Sequence, residues 1–318
     1  MDLREWLLDS DPALRWQVER DLLGESAEVW EATRARVATE GFGAVLLAKQ
    51  DPDGQWAGGS YFPAGYFGSA EAEEPGQPWI ATTWSLKDLR EFGLDAAILG
   101  DTAERIDRNS RWDYDDLPYW GGEVDVCINS FTLANGAWLG ADVSALAAWF
   151  PAHRLADGGW NCEAEEGNSV RSSFHSTLNA LRGMLAYERI TGDQSLREAR
   201  HGGEKYLLAR RLMYRASTGE IVGNWVDHFF YPNRHVYTAL AALDYFRDAS
   251  LLEGRGPDKR MSDAVGLVRS KRQEGGIWLQ EHTLAGRTWF DMDVPAGEPS
   301  KWLTLIGTRV LEWWDAAS

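Results

Sequence analysis

The chain has 318 residues, 44% of them hydrophobic, which is enough to bury a substantial core and to be an enzyme. Its 49 acidic against 32 basic side chains give a formal net charge of −17, a field that repels phosphate backbones and anionic lipid surfaces and argues against a nucleic-acid partner. No run reaches the roughly 18 to 20 apolar residues of a membrane span, and Met1-Asp2-Leu3-Arg4-Glu5-Trp6 lacks the basic-then-apolar order of a signal peptide, so a cytoplasmic protein is expected.

In chain order, residues 1–39, with Ser10-Asp11-Pro12-Ala13-Leu14-Arg15-Trp16, read as an N-terminal helical hairpin that caps the remainder. Residues 40–318 read as one catalytic-type domain built on a repeat. A turn recurs as Gln50-Asp51-Pro52-Asp53-Gly54-Gln55-Trp56, as Ala156-Asp157-Gly158-Gly159-Trp160 and as Gln273-Glu274-Gly275-Gly276-Ile277-Trp278. Each copy follows an apolar helical stretch and precedes a loop, after which a new helix begins. The helices expected from residues 79–86, 175–181, 235–240 and 301–305 open with an aromatic residue or His near a Thr, and residues 126–134 supply a further candidate.

Between these segments, residues 142–150 and 193–200 are amphipathic, with charged faces that suit an outer ring. Sustained alternation with β-branched residues is nearly missing, so strands should be few. Alternating inner and outer helices with Gly-rich turns at one end describe an all-α fold, an α/α toroid. The 17 tryptophans argue for aromatic surfaces at loop mouths or around a cavity, or for bulk in the core. For Trp56, Trp160 and Trp278 the packing reading sets Trp between helix pairs, behind a Gly whose backbone shape excludes other residues.

The Gln-x3-Gly-x-Trp string at Gln50 to Trp56 and the Gln-x2-Gly-x-Trp string at Gln273 to Trp278 resemble the repeat motif of squalene and oxidosqualene cyclases, a likeness spread over residues 40–315. The middle copy lacks the Gln. The resemblance implies an enzyme of terpenoid cyclase or prenyltransferase type that holds an isoprenoid or similar apolar substrate in an aromatic-lined central cavity. Asp113-Tyr114-Asp115-Asp116 is similar to the Asp-x-Asp-Asp acid of class II terpene cyclases, where crowded carboxylates keep one proton for donation. The likeness implies Asp115 and Asp116 as catalytic acids. Leu117-Pro118-Tyr119-Trp120 follows here in place of the family's Thr-Ala, and a solvated turn is the alternative.

Gly121-Gly122-Glu123-Val124-Asp125-Val126-Cys127, followed by Ser173-Phe174-His175-Ser176-Thr177, is similar to the β subunit of protein prenyltransferases. Carried over, Asp125, Cys127 and His175 would be zinc ligands, although the same string also resembles a repeat of that subunit with Arg at the place of Cys127. Cys162 lies in the loop before the helix that carries His175, so two thiolates, an imidazole and a carboxylate suit zinc, with Glu163 or Glu165 as general base. The alternative is that Cys127 is a small core residue and His175 a satisfied polar group. The β chains of that family require a partner subunit, and nothing in this sequence indicates one.

Trp84, Trp160, Arg171, Tyr231, Arg234, His235 and Trp302 are expected near the same rim, as a substrate-binding surface for a carbocation or a sugar ring. Besides an isoprenoid enzyme, the sequence leaves open a zinc enzyme of another class, acting on a peptide, glycan or natural-product intermediate. A binding module without chemistry also stays open.

Overall fold

The computed structural model describes residues 2–317. The protein is predominantly helical, and a single pair of two-residue strands forms among the described residues, Trp278–Leu279 antiparallel to Pro299–Ser300. The helices that build the centre are α2 (Pro12–Asp21), α5 (Thr82–Phe92), α7 (Val126–Leu139), α9 (Phe174–Thr191), α11 (Ala239–Glu253) and α13 (Lys301–Asp315). Around them lie α1 (Leu3–Leu8), α3 (Ala27–Ala35), α4 (Gly41–Leu47), α6 (Thr102–Asn109), α8 (Ser144–Ala152), α10 (Arg197–Ala209) and α12 (Ser262–Lys271).

Local sequence sets the ends of the central helices. Ser173, Thr238 and Ser300 accept N–H groups of the first turns of α9, α11 and α13, replacing water as acceptor for donors that have no partner inside a helix. α5, α7, α9 and α11 each stop at a left-handed glycine: Gly93, Gly140, Gly192 and Gly254. Most of α7 is buried whichever way its residues point, as expected for a helix apolar on every face.

The central helices touch in a closed order. α5 packs on α7, α7 on α9, α9 on α11, α11 on α13, α13 on α2, and α2 returns to α5. Each step carries a specific tie. Asn135 of α7 donates to the Thr83 carbonyl of α5 at 3.1 Å. Gly183 of α9 lies so close to α7 that a Cβ there would stand 2.7 Å from the Ser130 carbonyl oxygen, which is why a glycine occupies that position. Arg182 of α9 reaches the Ala241 carbonyl of α11 at 3.2 Å, and Arg309 of α13 pairs with Asp244 of α11 at 2.6 Å and with Asp21 of α2 at 3.1 Å. Trp16 of α2 donates its indole N–H to the Phe92 carbonyl at 2.8 Å, closing the order. Residues 1–39, expected as a cap, therefore supply α2 to the central set. The outlying helices follow: α6 and α8 on α7, α10 on α9, α12 on α11 and α13, α3 on α2.

The repeated turns share one hydrogen-bonding scheme. The indole N–H groups of Trp56, Trp160 and Trp278 donate to the carbonyls of Leu46, Phe150 and Val268, each ten residues earlier, at 2.8, 2.9 and 3.0 Å. Their backbone N–H groups donate to Thr82, Thr177 and Thr304 at 3.1 Å in every copy. The glycine two residues before each Trp has positive φ, 93° at Gly54, 102° at Gly158 and 83° at Gly276, a region that side chains with a Cβ rarely enter. Each turn thus locks a helix to the next central helix.

Candidate functional site

The central helices line a cavity of about 460 Å³ that opens to solvent, within the range of small-molecule sites, and all of them contribute to its wall. Trp16, Phe131, Trp138, Phe230, Tyr231 and Trp302 give the wall its aromatic character. Tyr231 stacks on Trp302 with ring centroids 4.3 Å apart, so two of the expected substrate-binding residues meet there. Burial raises the Tyr231 hydroxyl well above its ordinary range, and the carboxylates of Glu91 and Asp88 add to the shift.

At the upper end, where α7 and α9 begin, Cys127 and Cys162 are free thiols with sulfurs 3.3 Å apart. Cys127 is the second residue of α7, and its backbone N–H points at Cys162 Sγ, 3.5 Å away. Ser176 of α9 sits 3.3 Å from the same sulfur, and Asn179 donates to Cys127 Sγ at 3.3 Å. The hydrogen bond between the thiols divides their acidities. It lowers Cys162, with Ser176 and the helix N–H helping, and together with burial it raises Cys127 well above the usual thiol range. Cys162, half-buried beside a helix N-terminus, is the more nucleophilic of the two. Asn179 also lines the cavity, so the thiol pair adjoins its upper end.

The remaining expected residues divide into groups. Asp125 is close enough to Cys162 for a hydrogen bond, and burial raises its carboxyl, with Glu166 and Glu163 adding to the effect. His175 accepts the Tyr237 N–H through Nδ1 at 2.9 Å and packs against Trp225 at 4.4 Å. Burial, then the charge of His235, lowers His175 to about 4, so the ring is neutral at pH 7 with its proton on Nε2. His235 lies against Trp79 and Trp84, and its Nδ1 is buried with no hydrogen-bond partner. No three or more His, Cys, Asp and Glu side chains form a metal-holding group among the described residues. Of the expected ligands Asp125, Cys127, Cys162 and His175, the thiols meet with Asp125 beside them, while His175 has one ring nitrogen committed to Tyr237.

The other expected residues lie away from the cavity wall. Asp115 and Asp116 are exposed, in a turn where both have positive φ, and do not line the cavity. Both carboxylates therefore face water and not the enclosed space where a substrate would be held. Glu163 and Glu165 are exposed, with Glu165 3.6 Å from His153, and Arg171 is exposed with its carbonyl held by Asn161. Trp160 is fully buried and serves the repeat turn. Trp84 is fully buried among Tyr61, Trp79 and Phe131, where packing occupies its faces. Arg234 is buried and spends Nη1 on both oxygens of Asp88 at 2.8 Å.

Sequence reasoning missed a charged belt inside the cavity. Lys87, Arg90 and Glu91 of α5 and Arg182 of α9 all line it. Lys87 pairs with Glu91 at 2.7 Å, and Arg90 donates to Asn135 at 3.1 Å. The available signal was a charge set among apolar residues of a central helix, as in Leu178-Asn179-Ala180-Leu181-Arg182-Gly183-Met184-Leu185.

No protein-family model matches the chain, and no curated protein or solved structure matches it.

Proposed function

We propose that the helices form an α/α toroid and that the chain is an enzyme of terpenoid cyclase or prenyltransferase type, with an isoprenoid or similar apolar substrate held in the central cavity. The observation that carries the reading is the wall itself: every central helix contributes, and aromatic faces from α2, α7, α13 and the loop before α11 look onto one space. Such faces shed water from an apolar chain and stabilise positive charge that develops along it. Asn179 lines the cavity and donates to Cys127, so the thiol pair neighbours the space in which a substrate would be held. Incubation with farnesyl diphosphate, geranylgeranyl diphosphate and squalene, followed by product analysis, tests the reading. Conversion of one of them supports it, and a folded, metal-supplemented protein that converts none overturns it.

A second reading, a zinc enzyme on the same scaffold, is favoured by the two sulfurs 3.3 Å apart with Asp125 beside them. Elemental analysis of untagged protein tests it. Near-stoichiometric zinc that is lost on Cys127→Ala supports this reading, and metal-free protein with full activity rejects it.

A further inference from the structure

The cavity is basic in a chain whose net charge is −17. Part of its charge is cancelled in pairs. Arg309 is held by Asp244 and Asp21, and Arg189 by Asp248 at 3.4 Å. The belt deeper along α5 and α9 is not cancelled. Lys87, Arg90, Arg182 and the adjoining Arg234 face the carboxylates of Asp88 and Glu91, four cations against two anions.

Arg182 shows the imbalance most directly. Its Nη2 donates to the Ala241 carbonyl, and no carboxylate lies within ion-pair distance of it among the described residues. Glu91 keeps 39% of its side chain accessible and Arg90 keeps 17%, so these two border open space, whereas Lys87 is buried behind them. Burial alone would raise Glu91, but Lys87 and Arg90 hold its carboxyl below the ordinary value. Burial lowers the Arg90 guanidinium, Glu91 and Asp88 oppose the shift, and Arg189 and Arg182 add to it. Two positive charges without a carboxylate partner on an aromatic-walled cavity favour a bound counter-anion.

We propose that the belt of Lys87, Arg90 and Arg182 is the head-group site for an amphiphilic anion, a phosphate or carboxylate on an apolar body that packs against Phe131, Tyr231 and Trp302. Arg90 and Arg182 supply forked guanidinium donors that match either oxyanion, and Lys87 adds a point charge. Arg182 lies three residues beyond Asn179 on α9, about one turn along the axis, so the belt stands close to the end of the cavity that adjoins the thiols. The inference rests on the reading of the cavity as a ligand site and adds the charge of the ligand and the residues that meet it.

The test is calorimetric titration of the full chain with dodecyl phosphate, laurate and neutral dodecanol, repeated on Arg182→Gln and Arg182→Lys. The expected result is tighter binding of at least one anion than of dodecanol. That preference should fall about tenfold or more in Arg182→Gln and be partly kept in Arg182→Lys, with thermal unfolding of the free variants confirming that they fold. The anion that binds more tightly identifies the head group. Equal binding of dodecanol and both anions overturns the head-group site and leaves the apolar cavity standing. Binding of none of them overturns both, and an anion preference unchanged in Arg182→Gln overturns the assignment to this belt.

Discussion

Trp160 donates its backbone N–H to Thr177 Oγ1 at 3.1 Å, joining the turn that ends one helical layer to the first turn of the central helix α9. Trp56 with Thr82 and Trp278 with Thr304 repeat the bond at the same distance, and all these hydroxyls are fully buried. Thr177→Val keeps the shape and strands a buried N–H, which costs about 1–3 kcal/mol. Denaturant unfolding should show that loss, and Thr177→Ser, which restores the acceptor, should recover most of it. Trp160→Phe additionally strands the Phe150 carbonyl and opens space, and should destabilise by about 2–4 kcal/mol.

The buried pair of Arg234 and Asp88 gives a second prediction. Both are almost fully buried, and the guanidinium bonds both carboxylate oxygens at 2.8 Å. Arg234→Met leaves Asp88 without its main partner and should cost about 3–5 kcal/mol. The double variant with Asp88→Leu should cost less than the sum of the single changes. A double-mutant cycle measures the difference, and simple additivity would count against the pairing.

Thiol chemistry gives a third. Cys162 is the more acidic and more accessible sulfur, whereas Cys127 is buried and raised. Iodoacetamide at pH 7 should label Cys162 first, as read by peptide mass spectrometry, and Cys162→Ala should leave Cys127 slow to react. Mild oxidation with a small disulfide should link the pair with loss of two hydrogens, given sulfurs already 3.3 Å apart.

A fourth concerns pH. Burial raises Asp293 to about 6, against the pull of its hydrogen bonds from Ser300 and the Val294 N–H. The folded chain therefore holds a proton that the unfolded chain releases near pH 4. The resulting stability is full below pH 4 and is lost as pH rises toward 6, by up to ~3 kcal/mol. Asp293→Asn should remove that slope from the stability profile between pH 4 and 6 and leave the rest unchanged.

The helical class and the repeat turns were legible because both rest on local signals: apolar periodicity, a positive-φ glycine and a Trp two residues later. The order of the central helices was less so. Helices expected from Trp79 and His235 begin instead at Thr82 and Ala239, because Thr is the residue that partners the turn or caps the helix, and the aromatic residue or His before it stays outside the helix, in a bend or turn. His235 is left in a loop beside Trp79 and Trp84 for that reason. Residues 12–21 read as part of a cap since they carry no copy of the repeat, yet Trp16 fits over Gly93, where a Cβ would lie 2.8 Å from the ring. The thiol pair was legible as a pair of cysteines near helix starts. The charged belt was not, because Lys87, Arg90 and Arg182 face inward only once the helices close, and sequence periodicity alone does not separate an inner from an outer face.

The central claim is that the space enclosed by the helices binds an apolar substrate. Ala186 of α9 lines that space and is partly exposed to it, and it stands apart from the thiols and from the repeat turns. Calorimetric titration with farnesol of the native chain and of Ala186→Trp, which fills the cavity, tests the claim most directly. The account predicts saturable binding to the native chain and binding about tenfold weaker or worse in the variant, with thermal unfolding little changed. Equal binding by both proteins, or no binding by the native chain, would contradict it.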